Sequence, residues 1–265
     1  RIVREERRPI GPVFTTLIIL LSVLLVIAAL TAVLTFLPVT KVDVSESRNV
    51  LYQLGVDTIN LDFTADVASV NVSFEDLADK LVTLNVSATG RVGALVSPDV
   101  FDITFQNTTV DNVLTVTADI DTVKGGWPWH SWLSITCDLR IDPSLNASLD
   151  VKTNTGRIVL DTQAGVVLNS LSLETITGGI KADLVEDIVV AGDVSFKATT
   201  GGVEFSLDNV IVENDVLVNV ETTTGGVDVN VKQDERLLRN VTLTAEVTTG
   251  GIDFAIDIEG DVGAK

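Results

Sequence analysis

The sequence predicts an all-β fold, namely a β-solenoid or β-helix-like extracellular domain that follows a single N-terminal hydrophobic α-helix. Three observations lead to this prediction. A Thr-Gly-Gly type of motif returns five times in the C-terminal half. The segments on both sides of each motif alternate apolar and polar residues, which is the pattern of a strand with one buried face. A long, uncharged, mostly apolar run precedes the whole repeated region.

The uncharged run spans residues 13–37, and Pro38 ends it. A membrane-spanning helix needs about 20 such residues, so we predict a transmembrane or filament-core helix at 13–38. The positive-inside tendency places the basic tail, residues 1–12, in the cytoplasm and residues 41–265 outside. A cleaved signal peptide is the competing interpretation, but its apolar core is usually shorter than this run. The arginines of the tail are Arg1, Arg4, Arg7 and Arg8.

The five motif copies lie 22, 23, 24 and 25 residues apart, measured between their first glycines. A near-constant period of this length is typical of stacked supersecondary units. The apolar phase changes across the glycines, so the chain must turn or bulge there, where glycine tolerates a positive φ. We therefore expect one stacked structural corner, with one glycine from each coil. The first glycines are Gly156, Gly178, Gly201, Gly225 and Gly250.

A threonine precedes the first glycine of every copy. By parity we expect its side chain to point inward, where its hydroxyl can satisfy backbone groups of the corner. An ice-binding or polysaccharide-binding face would instead need outward threonine columns, whereas the outward positions of the strands are mostly charged. The five threonines are Thr155, Thr177, Thr200, Thr224 and Thr249.

The alternation of apolar and polar residues also continues between the helix and the repeats, but the motif does not recur there with a strict period. We predict irregular β coils and a cap at 41–150, continuous with the TTGG-repeat β-solenoid at 151–258. The sequence Thr89-Gly90-Arg91-Val92 echoes the motif inside this irregular part. A single extracellular unit of this length is ordinary for an all-β domain.

The formal net charge of −19 excludes nucleic acid as a partner, because phosphates require a basic surface. Divalent cations bridging acidic columns are an alternative to a plain solvated face, yet the sequence contains no compact calcium-binding loop. The single cysteine, Cys137, lies in phase with apolar residues and is predicted to be buried. The single histidine, His130, lacks the further nitrogen or sulfur ligands of a metal site. We therefore expect no catalytic residues, no metal and no cofactor.

Two further sets of residues are candidates for surface roles. Three tryptophans fall within one Gly/Pro-rich turn and form either an aromatic plug or a contact patch for a glycan or protein. Five sequons could accept N-linked glycans on an exported domain. The tryptophans are Trp127, Trp129 and Trp132, and the sequon asparagines are Asn71, Asn85, Asn107, Asn146 and Asn240.

The segment LSITCDLRIDPSLNASLDVKTNTGRIVLD, followed by TTGG-type coils, resembles the toastrack-type adhesin family of bacterial and archaeal surface proteins. This resemblance implies a β-solenoid-like fold, exposure at the cell surface and a non-enzymatic role. The start of the chain, RRPIGPVFTTLIILLSVLLVIA, is similar to archaeal type IV pilins. That resemblance implies N-terminal helices that bundle into the core of a filament.

These observations predict a non-enzymatic structural or adhesion protein of the cell surface, a single-pass membrane protein with its N-terminus inside. It would expose an acidic, glycosylated β-solenoid. The alternative is a pilin-like subunit of an extracellular filament. Expected partners are membrane lipid, a further copy of the chain as homo-oligomer or filament, and a surface glycan or protein. A polysaccharide-degrading β-helix enzyme is a weaker alternative, because acid and base groups are dispersed rather than clustered.

Overall fold

A computed structural model describes most of the chain as one α-helix and a series of β-strands. The described residues are 12–35, 39–93, 100–122, 132–185, 187–234, 237 and 239–258. In chain order the elements are α1 (Pro12–Thr35), β1 (Val39–Leu51), β2 (Thr58–Val67), β3 (Ser69–Phe74), β4 (Lys80–Gly93), β5 (Phe101–Val110), β6 (Val113–Thr122), β7 (Trp132–Ile141), β8 (Asn146–Thr155), β9 (Ile158–Asp161), β10 (Val167–Thr177), β11 (Ile180–Leu184), β12 (Val189–Val190), β13 (Val194–Thr200), β14 (Val203–Asp208), β15 (Ile211–Val212), β16 (Val216–Thr224), β17 (Val227–Gln233), β18 (Val241–Thr249) and β19 (Ile252–Ile258).

The helix lies where the sequence predicts it and has 24 residues, none of them charged. It begins one residue before the predicted start, and residues 36–38 at the predicted end lie outside the described part. Several of its large apolar side chains are exposed, among them Leu17, Leu21 and Leu25. Within the described residues, no helix meets the combined length and apolarity required of a membrane span.

The strands form two sheets, so the protein is mostly β, as predicted. In the described residues, sheet A has nine strands in the order β1-β4-β7-β3-β9-β11-β14-β17-β19. Sheet B has ten, eight of them in the order β18-β16-β13-β10-β8-β2-β6-β5; the short strand β12 pairs with β10, and the short strand β15 pairs with β12. Most neighbours are parallel, and the exceptions lie at the β1 and β5 edges.

Each motif copy contributes one strand to each sheet, and we call such a pair of strands a coil. The five coils are β8/β9, β10/β11, β13/β14, β16/β17 and β18/β19. Neighbouring coils pair in register, so that Val203, Val227 and Ile252 lie side by side in sheet A. Apolar residues therefore stack on apolar residues from coil to coil, and each coil buries its core face against its neighbours.

The order of strands in residues 41–150 differs from a simple run of successive coils. The pair β2/β3 lies between β6/β7 and β8/β9, although β6 and β7 come later in the chain. Ala68, between β2 and β3, occupies the corner position, and its N–H donates to the Thr155 carbonyl at 2.9 Å. The Gly90 echo is not a corner, because Gly90 lies within β4 and pairs with Val42 of β1. Antiparallel pairing by β1 and β4 in sheet A and by β5 in sheet B closes this end of the stack.

The core lies between the two sheets and runs the length of the stack. The inward positions carry Val, Leu, Ile, Ala and Phe, most of them fully buried. Phe196 of β13 and Phe205 of β14 meet across the sheets with ring centroids 4.8 Å apart. This continuous apolar interior makes every coil depend on its neighbours.

Candidate functional site

The first glycines of the motif lie at equivalent points of successive coils. The N–H of Gly225 donates to the Thr249 carbonyl at 2.9 Å, and the N–H of Gly201 donates to the Thr224 carbonyl at 2.8 Å. All five first glycines have φ between +143° and +155°. A Cβ on Gly225 would overlap the carbonyl oxygen of Gly201, and the same close approach recurs at each of the other four. The corner therefore requires glycine for both conformation and space.

The threonines that precede these glycines point outward, so the parity expectation was wrong. The pairing of β10 with β13 runs from Thr175 opposite Ala198 directly to Thr177 opposite Thr200, which leaves Ile176 unpaired. Thr199 is skipped on the partner strand as well, so no residue is inserted in either strand. Ile176 and Thr177 are both exposed, which breaks the alternation just before the corner. The threonine column, defined as Thr155, Thr177, Thr200, Thr224 and Thr249, is exposed and in register through all five coils.

A different set of threonines fills the inward role. The hydroxyl of Thr175 donates to the Gly156 carbonyl at 3.1 Å, and that of Thr222 donates to the Gly201 carbonyl at 2.9 Å. Thr153 makes the same contact with Ala68 at 3.1 Å. These buried hydroxyls donate to the corner carbonyls. From the sequence we expect that role of the threonine column, whose members lie two residues further along the chain.

An open groove of about 620 Å³ crosses the coils at the start of the sheet A strands, two residues after the threonine column along the chain, and no threonine of the column lines it. Its floor is the second glycine of successive motifs, and its wall carries charged side chains that point out of sheet A. We call it the corner groove. Its lining residues include Gly179, Gly202, Gly226, Gly251, Arg157, Glu204, Asp228 and Asp253.

The charges of the groove change along its length. Glu204 contacts Arg157 at 3.8 Å and Lys181 at 2.9 Å. The hydrogen bond from Lys181 to Glu204, followed by the charge of Asp183, raises the pKa of Lys181. Asp228 and Asp253 have no ion-pair partner among the described residues. The groove is therefore nearly neutral at the β9 and β11 end and anionic toward β19.

The described residues contain no group of three His, Cys, Asp or Glu side chains arranged to hold a metal ion. In that part of the chain the structure therefore offers no set of ligands for the bridging divalent cations considered from the sequence. Cys137 lies on β7 and is fully buried. Burial raises the pKa of Cys137 to about 12, so its thiol stays protonated at neutral pH. His130 lies outside the described residues.

The sequon asparagines differ in accessibility. Asn107 is exposed on the edge strand β5, and Asn240 is exposed before β18. Asn71 is exposed, but its side chain donates to Asp138 at 2.8 Å. Asn85 and Asn146 are half-buried within strands β4 and β8. The side-chain amide of Asn240 donates to Asp215 at 3.3 Å, whereas Asn107 lies on an edge strand and makes no such contact with a described carboxylate.

The tryptophan patch cannot be placed as a unit. Trp127 and Trp129 lie outside the described residues, and Trp132 is the first residue of β7. The structure therefore does not bring the three side chains into one described site.

Comparison with solved structures shows similarity to a candidate cell adhesion protein from Clostridium sporogenes. The alignment has 12% identity and a TM-score of 0.51, and it covers 80% of this chain and 99% of that chain. A candidate adhesin from Bacteroides fragilis aligns over 81% of this chain and 98% of that chain, with 12% identity and a TM-score of 0.29. The chain matches no protein-family model and no curated protein. At this identity the first similarity concerns the fold alone.

Proposed function

We propose that this chain is a non-enzymatic cell-surface adhesion protein whose β-solenoid binds an extended surface glycan along the corner. The observation that carries the proposal is the threonine column and corner groove, which cross successive coils in register. Coils repeat about every 4.8 Å along the stack, and a sugar residue of a linear polysaccharide has a similar length. The fold shared with a candidate adhesion protein supports the same role.

The chemistry of the corner suits a neutral, hydroxyl-rich ligand. Threonine hydroxyls donate and accept hydrogen bonds, and the carboxylates of Asp228 and Asp253 accept them from sugar hydroxyls. The unpaired carboxylates disfavour an anionic polymer by repulsion. Weak contacts repeated once per coil add up along one chain of ligand.

Binding to linear polysaccharides tests the proposal directly. The purified chain should be retained by at least one immobilised neutral polysaccharide, and the double variant Thr200→Ala, Thr224→Ala should bind at least tenfold more weakly. The matched control is Thr242→Ala with Thr244→Ala, two exposed threonines of β18 away from the corner. Equal losses in both variants, or no retention of wild type on any polysaccharide, would contradict the proposal.

We further propose that the uncharged run at 13–37, which contains most of α1 and continues past the described helix, anchors the protein in the membrane with the N-terminus inside. The helix has no charged residue over 24 positions, and the arginine-rich tail precedes it. Protease added to intact cells should remove residues 41–265 and leave the tail protected. Occupied glycans at Asn107 would support the same orientation, whereas a protected β-domain would refute it.

The alternative function, a filament subunit, is favoured by one feature of α1. Thr15, Ser22 and Ala29 recur every seven residues, a spacing that corresponds to one side of an α-helix. Small residues allow close approach of helices. Ser22→Leu combined with Ala29→Leu should reduce the mass of detergent-extracted particles if the helices associate. An unchanged mass, with no filaments by electron microscopy, would leave α1 as an anchor only.

A further inference from the structure

The two ends of the stack differ in what their edge strands present to solvent. At one end, which we call the capped end, the edge strands are β1 and β5. Val42 and Val50 of β1 are buried, and Glu46 and Arg48 occupy the same inward row, where they form an ion pair at 2.9 Å. Inward charges on an edge strand block the addition of further strands, because pairing would desolvate them.

The β5 edge is protected in a similar way. Phe101 faces the core, and the alternation continues through Phe105 to Asn107 and Thr109. The second half of this row is therefore polar. Asn107 is also an exposed sequon asparagine, so a glycan there would cover the same edge.

The other end, which we call the open end, consists of β18 and β19. Within the described residues, no strand pairs with the outer edge of either. Ile252, Phe254 and Ile256 face the direction of the core but are 44%, 42% and 60% exposed. The inward rows of the two strands contain no charged or polar side chain: Val241, Leu243, Ala245, Val247, Ile252, Phe254 and Ile256.

We propose that the open end binds the open end of a second copy of this chain, with β19 pairing antiparallel to its counterpart and β18 doing the same. Head-to-tail stacking would press Phe254 and Ile256 against the inward charges of Glu46 and Arg48, whose desolvation disfavours that contact. End-to-end pairing places apolar rows against apolar rows. It is also a closed, two-fold arrangement, the commonest symmetry of homo-oligomers.

The outward charges of β19 select one register. When Phe254 faces its own counterpart, Asp253 lies opposite Ala255 of the other copy and Ile252 lies opposite Ile256. A shift that centres the pairing on Ala255 places Asp253 opposite Asp257, and like charges in that position are destabilising. The first register is therefore preferred.

The area of the open end is sufficient for a specific dimer. Strands of nine and seven residues are about 30 Å and 23 Å long, and the two sheets lie about 10 Å apart. With its side chains the end measures on the order of 500 Å² per copy, so pairing buries roughly 1,000 Å² in total. That value lies at the lower limit for specific protein interfaces.

The test changes the charge at Ala255, which is exposed and points away from the core. We measure the mass of the full chain in detergent by analytical ultracentrifugation, with Ser22→Leu and Ala29→Leu present throughout to weaken association through α1. The parent should be a dimer at micromolar concentration. Ala255→Asp places a carboxylate opposite Asp253 and should weaken dimerisation at least tenfold, whereas Ala255→Lys should preserve or strengthen it.

Asn230→Asp is the matched control, because Asn230 is the outward residue that pairs with Ala255 one coil inside the stack. It adds the same charge to the same row without lying at the edge, and it should leave the dimer intact. A monomeric parent at tens of micromolar would overturn the proposal. So would equal effects of Ala255→Asp and Asn230→Asp, or equal effects of Ala255→Asp and Ala255→Lys.

Discussion

At the scale of single residues, the two glycines of the motif have different physical roles in the four copies that carry both. Gly225 has φ +155° and lies against the Gly201 carbonyl, whereas a methyl group on Gly251 would meet no atom within 4 Å, and Gly251 has no positive φ. Gly225→Ala combines backbone strain with a clash against backbone atoms that cannot move alone. We expect it to lower the free energy of unfolding by about 2–4 kcal/mol in denaturant titrations.

Gly251→Ala is the control for that measurement, and we expect a change within about 0.5 kcal/mol. It makes the same glycine-to-alanine exchange one coil further along the stack. If both variants lose the same stability, the corner conformation does not explain the requirement for glycine.

The buried thiol of Cys137 predicts a pH dependence of stability. Its pKa rises from 9.0 to about 12 in the folded chain, chiefly through burial and then through the charge of Asp138. Between these values the unfolded chain loses the proton and the folded chain keeps it. Stability should therefore fall as pH rises above about 9, with a slope of up to about 1.4 kcal/mol per pH unit from this group.

Comparison of wild type with Cys137→Ala isolates this contribution, since lysine and tyrosine titrate in the same range. We expect the variant to show the shallower loss of stability between pH 9 and pH 11 in urea unfolding. Parallel curves for the two proteins would show that Cys137 ionises as easily in the folded chain as in the unfolded chain.

The sequence locates the residues of the corner better than it orients them. Glycine spacing identifies the five positions, because a positive φ leaves a strong compositional signal. The direction of Thr177 depends on a break in the alternation at Ile176, where both neighbouring strands leave one residue outside the pairing and no special residue type marks the position. Simple alternation therefore cannot predict the outward threonine column.

At the scale of elements, the inner threonines explain how one coil is joined to the next. Thr175 and Thr222 donate to corner carbonyls, but the equivalent position of the coil between them is Ala198. Ala198→Thr should add a hydrogen bond to the Gly178 carbonyl and raise the free energy of unfolding by about 0.5–1 kcal/mol. Thermal and denaturant unfolding measure the change.

Thr222→Val is the complementary variant, because it keeps the shape and removes the hydroxyl. We expect a loss of about 1–2 kcal/mol, since the Gly201 carbonyl loses its buried donor. Destabilisation by both substitutions would indicate that packing, rather than the hydroxyl, determines the residue at this position.

The elements themselves are predictable to different degrees. The helix and the strands around the five motifs follow from strong local patterns, namely an uncharged run and a strict period of two. The corner at Ala68 has no glycine, and the insertion of β2/β3 between β6/β7 and β8/β9 is a long-range pairing that no local pattern specifies. The sequence therefore predicts strands in residues 41–150 without their order.

At the scale of the whole molecule, the capped end predicts what prevents open-ended assembly. Glu46→Val with Arg48→Val removes both inward charges of β1 and gives that edge an apolar inward row. If the open end already pairs with itself, a second competent end should convert dimers into longer, non-closing chains. Light scattering and electron microscopy of the full chain should detect them.

The control replaces the exposed pair Lys41 and Asp43, whose charged atoms lie 3.4 Å apart on the same strand. Lys41→Val with Asp43→Val removes the same number of charges but leaves the inward row unchanged. Chains formed equally by both double variants would mean that net surface charge, rather than the inward pair, limits assembly.

The stacking order has a mechanical consequence. A pull on the C-terminus, away from α1, acts along the hydrogen bonds between coils and should peel β18/β19 first. Each of the four steps from one coil to the next then releases 22–25 residues, an extension of about 80 Å at full stretch. The regular extension steps should end once β8/β9 has been released. The strands next to β8/β9 in space are β2/β3, and these are not the next strands along the chain. If α1 anchors the chain as proposed, the protein should lengthen stepwise under tension on its C-terminus while the capped end stays folded.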